Sequence, residues 1–382
     1  MAITSTSHSC AGKKFLSAPQ WWKKPCAHVE STLHQLAPYI GKIKSSIAGD
    51  LVEQYSKPGD LVVDPFAGAG TIPLEAALRG RRIFAGDISA YARILSQAKL
   101  SAPKSLEIAL LSAEKALKEA ENYPSPSLLD VPRWVRRFYH PRTLAEALRF
   151  AAVARKPGNE FLMACFLGIL HHQRPGFLSY PSSHLVPYLR DKKYPRKSFP
   201  EMYRYRELAP RLLAKIRRSY KRFVSPPDVD SAIRQCAVED LELPKRFDAL
   251  ITSPPYMNAL DYGRDNRLRL WFIEPELAEV TDSGIATRRK AFVDGITSLA
   301  VKVEKRLVSR GHCVFVVGEE VHRSFNAHPS DVVISILRER APSLKLRAIL
   351  TDDIPDVRRT RRECRGVKTE QFLIFQRMKY AR

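Results

Sequence analysis

Two short stretches of this chain place chemically able side chains at the ends of apolar runs. Thr252-Ser253-Pro254-Pro255-Tyr256 follows Ala249-Leu250-Ile251, and Asp64-Pro65-Phe66-Ala67-Gly68-Ala69-Gly70-Thr71 follows Leu61-Val62-Val63. Short apolar runs bounded by turn residues read as buried strands, so both sets leave a sheet where strands end. In the first set, the Ser253 hydroxyl and the Pro254 carbonyl are adjacent acceptors for the two hydrogens of an exocyclic amine. Holding both hydrogens favours a pyramidal nitrogen with its lone pair free of the ring, the geometry a transition state for attack needs. Pro254 and Pro255 stiffen the turn, so little chain entropy is lost on binding. Tyr256 offers a flat face on which an extruded base can stack. Ser253 is too weak a base to deprotonate an amine, so the proton leaves after transfer rather than before it.

The second set is a cofactor turn. Glycines between a strand and a helix let backbone N–H groups and the helix N-terminus approach a ligand closely. A dinucleotide fingerprint needs a third glycine at the helix start, whereas Gly68-Ala69-Gly70 is followed by Thr71-Ile72-Pro73. Asp64 at the strand end suits a cationic ligand, and S-adenosylmethionine carries a sulfonium and an ammonium. Asp87, closing the next strand, can accept two hydrogen bonds from ribose hydroxyls, or cap the following helix. Asp240 follows the third strand, with Glu239 as its rival.

The elements that must position these residues alternate. A helix is expected over 43–55 and ends at Lys57-Pro58-Gly59-Asp60; strands follow at 61–63 and 82–85, with helices over 72–78 and 90–100. Strand–helix alternation predicts a parallel sheet with right-handed crossovers. Residues 1–20 read as a frayed end. From 103 to 229 the sequence offers helices, at 144–153, 160–171 and 208–223, and no sheet strand. Strands return at 232–236, 247–252, 313–317, 344–350 and 371–375, with helices over 298–307 and 331–340; the last two strands, with no helix between them, should pair antiparallel. The expected division is an N-terminal extension 1–35, a cofactor-binding part 36–105, an inserted helical domain 106–227 and a second catalytic part 228–382.

The pair of turns resembles the amino-methylating DNA methyltransferases, and Ser253 at the head of the second motif resembles their N4-cytosine branch. The resemblance covers about residues 36–105 and 228–382. It implies the α/β, Rossmann-like class I methyltransferase fold: a seven-stranded, mostly parallel sheet with an antiparallel last strand, plus the inserted helical domain. It implies S-adenosyl-L-methionine as cofactor, held by Asp64, Phe66, Gly68, Gly70, Thr71, Asp87 and Asp240, with Pro38-Tyr39-Ile40-Gly41-Lys42 covering its methionine end. Ser253, Pro254, Pro255 and Tyr256 become the catalytic residues, and Asn258 to Tyr262 continues out of their turn. The implied substrate is cytosine N4 in double-stranded DNA, in restriction–modification, with a cognate restriction nuclease as a possible partner. N6-adenine methylation of DNA and guanine-N2 methylation of tRNA stay open; the stretch Thr71-Ile72-Pro73-Leu74-Glu75-Ala76-Ala77 resembles the latter enzymes. A non-catalytic nucleic-acid-binding protein is disfavoured by the intact motif residues.

Charge points to a polyanion. The 382 residues carry 63 Lys and Arg against 40 Asp and Glu, a net +23. From Tyr180 to Arg222 there are 13 basic and 3 acidic residues, interleaved with Tyr188, Tyr194, Phe199, Tyr203 and Tyr205. Basic side chains neutralise phosphates and aromatics stack on bases, which nominates Arg217, Arg218, Lys221 and Arg222. Arg358, Arg359, Arg361 and Arg362 form a second cluster between the last two strands. The six cysteines include no Cys-x-x-Cys pair, so they read as reduced thiols of a cytoplasmic protein with no metal site. No apolar stretch is long enough for a membrane span.

Overall fold

The computed structural model describes residues 15–24, 29–124, 126–171, 176–179, 194–255, 262–279, 285–318, 328–353 and 369–379. Its strands are β1 (Phe15–Ser17), β2 (Leu61–Asp64), β3 (Arg82–Asp87), β4 (Ser231–Gln235), β5 (Phe247–Thr252), β6 (Leu307–Gly318), β7 (Leu344–Asp353) and β8 (Thr369–Arg377). Its described helices are α1 (Ser45–Tyr55), α2 (Thr71–Leu78), α3 (Ala90–Leu100), α4 (Leu106–Glu121), α5 (Arg133–Arg136), α6 (Pro141–Ala154), α7 (Glu160–Leu167), α8 (Leu208–Ser219), α9 (Tyr262–Ile273), α10 (Ile285–Arg306) and α11 (Pro329–Arg340).

Successive residues of a strand face opposite sides, and here both sides are apolar. In β6, Cys313, Phe315 and Val317 join one core while Val314 and Val316 join another. The first core is closed by Phe292, Ile296 and Leu299 of α10 and Val333 of α11, the second by Ile47 and Leu51 of α1 and Ile72 of α2. A sheet covered on both faces is what near-continuous apolar strands require.

The strand order is β1-β7-β8-β6-β5-β2-β3-β4. β2 pairs parallel with β3 on one side and with β5 on the other, and β8 runs antiparallel between β6 and β7. Leaving out β1, this is the seven-stranded class I methyltransferase sheet. The chain winds outward from β2 to β4 and then crosses back to β5, which makes the β2/β5 boundary the switch point. Ligands of open α/β sheets bind in the crevice outside the carboxyl ends of the strands at such a point. Asp64 ends β2 and Thr252 ends β5.

Two expectations needed correction. Residues 15–17, expected to fray, add an eighth strand, paired parallel to β7 with Leu16 opposite Leu350. An open sheet edge recruits any extended backbone, and Trp22, fully buried against the Phe372 ring at 4.7 Å, anchors the segment. Helices expected to reach His171 and Phe223 stop at Leu167 and Ser219. Beyond Ser219 the chain leaves the helix for other partners: the Tyr220 hydroxyl donates to the Pro103 carbonyl at 2.6 Å, and the Arg222 carbonyl accepts from the Thr32 amide at 3.2 Å.

Helices α4 to α8, with α9 from beyond β5, pack as a further layer against α2 and α3. Tyr91, Ile94, Leu95 and Ala98 of α3 share one apolar core with Leu144 and Phe150 of α6, Phe161 and Phe166 of α7, Leu212 and Ile216 of α8 and Phe272 of α9. α4 contributes the stripe Ala109, Ala113, Ala116 and Ala120, spaced to lie on one helix face.

Candidate active site

The turn after β2 needs its glycines. Gly68 and Gly70 have φ of 49° and 68°, the left-handed region that costs any other residue energy. A Cβ on Gly70 would come within 2.7 Å of the Ser96 backbone on α3, so the glycine also permits close packing of turn on helix. A Cβ on Gly68 would touch the Tyr39 ring at 3.4 Å. Tyr39 stacks on Tyr91 with ring centroids 5.8 Å apart, and the Tyr91 hydroxyl donates to the Pro38 carbonyl at 2.6 Å. The Pro38–Lys42 segment therefore lies against the glycine turn. The Ala67 amide donates to Gly86 at 2.9 Å and the Gly70 amide to Ala67 at 2.8 Å. From below, the buried Lys99 ammonium donates to the Ala69 carbonyl. Burial, followed by repulsion from Lys42, holds the Lys99 pKa well below the usual lysine range. Lys99 carries no sequence signal, since a lysine in a helix normally reads as a solvated residue.

Two carboxylates flank the turn. Asp64 is 1% exposed; its Oδ1 accepts from the Thr252 hydroxyl at 2.6 Å and the Phe66 amide at 3.3 Å, while Oδ2 is buried without a partner. Burial pushes the Asp64 pKa up to about 7, against the two hydrogen bonds and with some help from Asp87. Asp87, partly exposed, accepts from the Gly68 amide at 2.9 Å on Oδ2 and from the Ser89 amide at 2.8 Å on Oδ1. Burial also raises its pKa. Each oxygen keeps a lone pair. Ile88, directly after Asp87, is 73% exposed. An exposed large apolar side chain next to a pair of hydroxyl acceptors suits a nucleoside, a signal that adjacency to Asp87 could have given.

Phe66 is half-buried, its ring facing Gly295 of α10, and Thr71 is buried at the first position of α2. Asp240 and Glu239 are both exposed in the turn after β4. Lys302 of α10 holds that turn by donating to the carbonyls of Val238, Glu239 and Leu241 at 2.6–3.0 Å.

At the neighbouring strand end, Ser253 is half-buried, Pro254 buried and Pro255 exposed. Tyr256 lies outside the described residues, as do 257–261. Asp64, the glycine turn, Asp87 and Ser253 thus meet at the switch point. The donor set fits S-adenosylmethionine: a buried carboxylate oxygen in want of a cationic donor, acceptors for ribose hydroxyls, an apolar face, and backbone space that a Cβ would fill. No arginine or lysine side chain was found bonded to these turn carboxylates among the described residues.

The basic residues separate. Arg217, Arg218 and Lys221 are exposed at the end of α8. Arg222 is half-buried, its amide donating to Thr32 Oγ1 at 3.3 Å and its Nε to the Glu30 carbonyl at 3.4 Å. Within the same basic stretch, Lys215 is buried and donates to the Gln35 carbonyl at 2.6 Å, and the buried Arg206 donates to the carbonyl of Met202 at 3.1 Å. Its described aromatics are engaged as well, Tyr180 and Tyr188 lying outside the described residues: Arg142 lies 4.2 Å over the Tyr205 ring, Arg196 lies 4.9 Å over Tyr203, and Tyr194 meets Phe199 edge-on. These rings pack within the protein, because the segment must close the helical layer. Arg358, Arg359, Arg361 and Arg362 lie outside the described residues; the flanking Asp353 and Thr369 pair with each other at the carboxyl edge of the sheet. Among the described residues, no three His, Cys, Asp or Glu side chains group as a metal site, and no helix is long and apolar enough to cross a membrane.

A family model described as an RMKL-like methyltransferase domain matches residues 36–122. The orphan methyltransferase M.BamHII of Bacillus amyloliquefaciens is 36% identical over 69 residues, 18% of this chain. The match spans about a quarter, 26%, of that relative's length. Among solved structures, TrmN from Thermus thermophilus aligns over 91% of this chain and 53% of its own at 12% identity, TM-score 0.38. The rRNA methyltransferase aviRa from Streptomyces viridochromogenes aligns over 91% and 92% at 12% identity, TM-score 0.33. The sheet order and the domain match together define a class I methyltransferase fold, whose cofactor is S-adenosylmethionine.

Proposed function

We propose that this class I methyltransferase fold serves an enzyme that methylates an exocyclic base amine, N4 of cytosine in double-stranded DNA, in a restriction–modification setting. One observation carries the reading: Ser253-Pro254-Pro255 leaves β5 beside the glycine turn of β2, with Thr252 bonded to Asp64 across the two strands. When bound, the cofactor supplies an electrophilic methyl group. On its side of the crevice, Asp64 offers Oδ2 to the positive charge, Asp87 offers lone pairs to ribose hydroxyls, and Ile88 offers an apolar face to the purine. The backbone at Gly68 and Gly70 admits the ligand, with Phe66, Thr71 and Asp240 completing the wall.

On the amine side, the Ser253 hydroxyl and the Pro254 carbonyl accept the two amine hydrogens, and Tyr256 stacks on the extruded base. Ser253 orients and does not deprotonate; the nitrogen loses its proton once methylation has made it acidic. Arg217, Arg218 and Lys221, with the arginines at 358–362, neutralise phosphates. The helices between α4 and α8 read the target.

The stretch Thr71 to Ala77 lies inside the matched domain and favours a second reading, methylation of guanine N2 in RNA. Incubation with labelled cofactor and either plasmid DNA or tRNA, followed by mass spectrometry of the nucleosides, separates the readings. N4-methylcytosine from DNA is expected. N6-methyladenine would move the target to adenine, N2-methylguanine from RNA would establish the second reading, and label in no nucleoside would reject both.

A further inference from the structure

Asp64 and Thr252 make a contact whose chemistry is unfinished. The Thr252 hydroxyl and the Phe66 amide both donate to Oδ1, at 2.6 and 3.3 Å. Thr252 is fully buried and Asp64 is 1% exposed. Oδ2 of the same carboxylate is buried with no donor. Such an orphan is costly in a low-dielectric interior and is retained where a ligand satisfies it. Of the cofactor's two positive groups, only the ammonium has hydrogens to give.

We propose that Thr252 is a positioning residue for the methyl donor: by holding Oδ1 it fixes the Asp64 carboxylate so that Oδ2 receives the cofactor's ammonium. The proposal rests on the glycine turn being the S-adenosylmethionine site. Space alone does not explain Thr252, since a valine fills the same volume without a hydroxyl. The hydroxyl also sets the charge of its partner. Burial, and after it the charge of Asp87 on β3, favour a protonated Asp64; the hydrogen bonds from Thr252 of β5 and the Phe66 amide oppose them. Without the Thr252 donor, Asp64 keeps its proton to higher pH and loses its attraction for a cation. Because Ser253 follows at once, the same residue ties the cofactor carboxylate to the strand that presents the amine acceptors.

The test is calorimetry of the full chain with S-adenosylhomocysteine, which keeps the ammonium and lacks the sulfonium. Wild type, Thr252→Val, Thr252→Ser and Asp64→Asn are compared from about pH 6 to about pH 8.5, with thermal melting to verify folding. Wild-type affinity should rise with pH through about 7, where Asp64 ionises. Thr252→Val should bind roughly five- to tenfold more weakly at neutral pH, with its midpoint about one unit higher, so that the deficit shrinks toward the alkaline end. Thr252→Ser should restore the wild-type profile, and Asp64→Asn should lose both affinity and pH dependence. If the valine variant does not melt as a folded protein, Thr252→Ala is read in its place. A valine variant, or the alanine read in its place, that matches wild type at every pH, or that is weakened equally at every pH, overturns the proposal. So does failure of the serine variant to rescue. Wild-type protein that binds no S-adenosylhomocysteine would instead remove the cofactor-site reading itself.

Discussion

Three glycines with positive φ allow the glycine turn to be tested against an internal control. Gly59, Gly68 and Gly70 have φ of 85°, 49° and 68°, so alanine at any of them is strained by the backbone alone. That strain costs about 1–2 kcal/mol, partly offset by the lower entropy of the unfolded alanine chain. What differs is the space around each Cβ. At Gly59 it meets nothing within 4 Å, at Gly68 it meets the Tyr39 ring at 3.4 Å, and at Gly70 it meets Ser96 backbone and side chain at 2.7 Å. Ring contact at 3.4 Å is ordinary packing. A 2.7 Å approach to a backbone carbon forces α2 and α3 apart, an overpacking cost of about 1–3 kcal/mol more. Urea unfolding should therefore rank Gly70→Ala as the most destabilising, by about 2–4 kcal/mol, with Gly59→Ala and Gly68→Ala near 1 kcal/mol. Calorimetry should separate the last two, since Gly68→Ala adds a methyl group to the proposed cofactor turn beside Tyr39 and Gly59→Ala lies outside that turn. If Gly70→Ala costs no more than Gly59→Ala, or if Gly59→Ala weakens S-adenosylmethionine as much as Gly68→Ala does, the account of this turn is wrong.

The Asp64 pKa lies above its unfolded value, so the unfolded chain releases that proton first and the group's contribution to stability is lost as pH rises from about 4 to about 7. Asp64→Asn should raise the melting temperature of the ligand-free protein near pH 8 and leave it little changed near pH 4; equal shifts at both would contradict this. Lys99→Met removes the donor under Ala69 and a buried charge together, and should weaken S-adenosylmethionine binding by roughly tenfold while the protein stays folded, a loss absent from binding data if the loop holds itself. Replacing Arg217, Arg218 and Lys221 with alanine should lower the slope of log affinity against log salt by up to about 2–3 in DNA anisotropy titrations, and an unchanged slope would remove the patch from the interface. Arg222→Ala should show itself first as lower stability in urea, because its half-buried side chain donates to the Glu30 carbonyl.

Much of this was legible from residue order because local chemistry dictated it. The apolar runs at 61–63 and 249–251 are followed by turn residues, so they announced buried strands and the side chains they deliver. The helix at 90–100 matched residue for residue, its Ser89 accepting from the Ala92 amide as a cap should. Edge strand β1 was illegible because backbone pairing to β7 needs no side-chain pattern. Thr252 reads as one more β-branched strand residue; only the strand order shows that its hydroxyl meets Asp64, 188 positions away. The basic stretch misled in part for the same reason. Composition counts charges, whereas Arg206, Lys215 and Arg222 are spent on backbone carbonyls that only the fold brings near.

The core shared by α3 with α6, α7, α8 and α9 has a bearing on how this molecule could change its target. Where a recognition unit folds on its own, recombination can trade it for another as a cassette. Here a cut near residues 105 and 228 would strip the covering from Tyr91, Ile94, Leu95 and Ala98, and α3 also supplies Ser96 and Lys99 to the glycine turn. A transplanted block would have to reproduce that buried surface, or the cofactor turn would loosen with it. If these helices read the target, as proposed, changes of specificity are confined to their outer faces, because the inner faces are tied to the helix that supports the glycine turn.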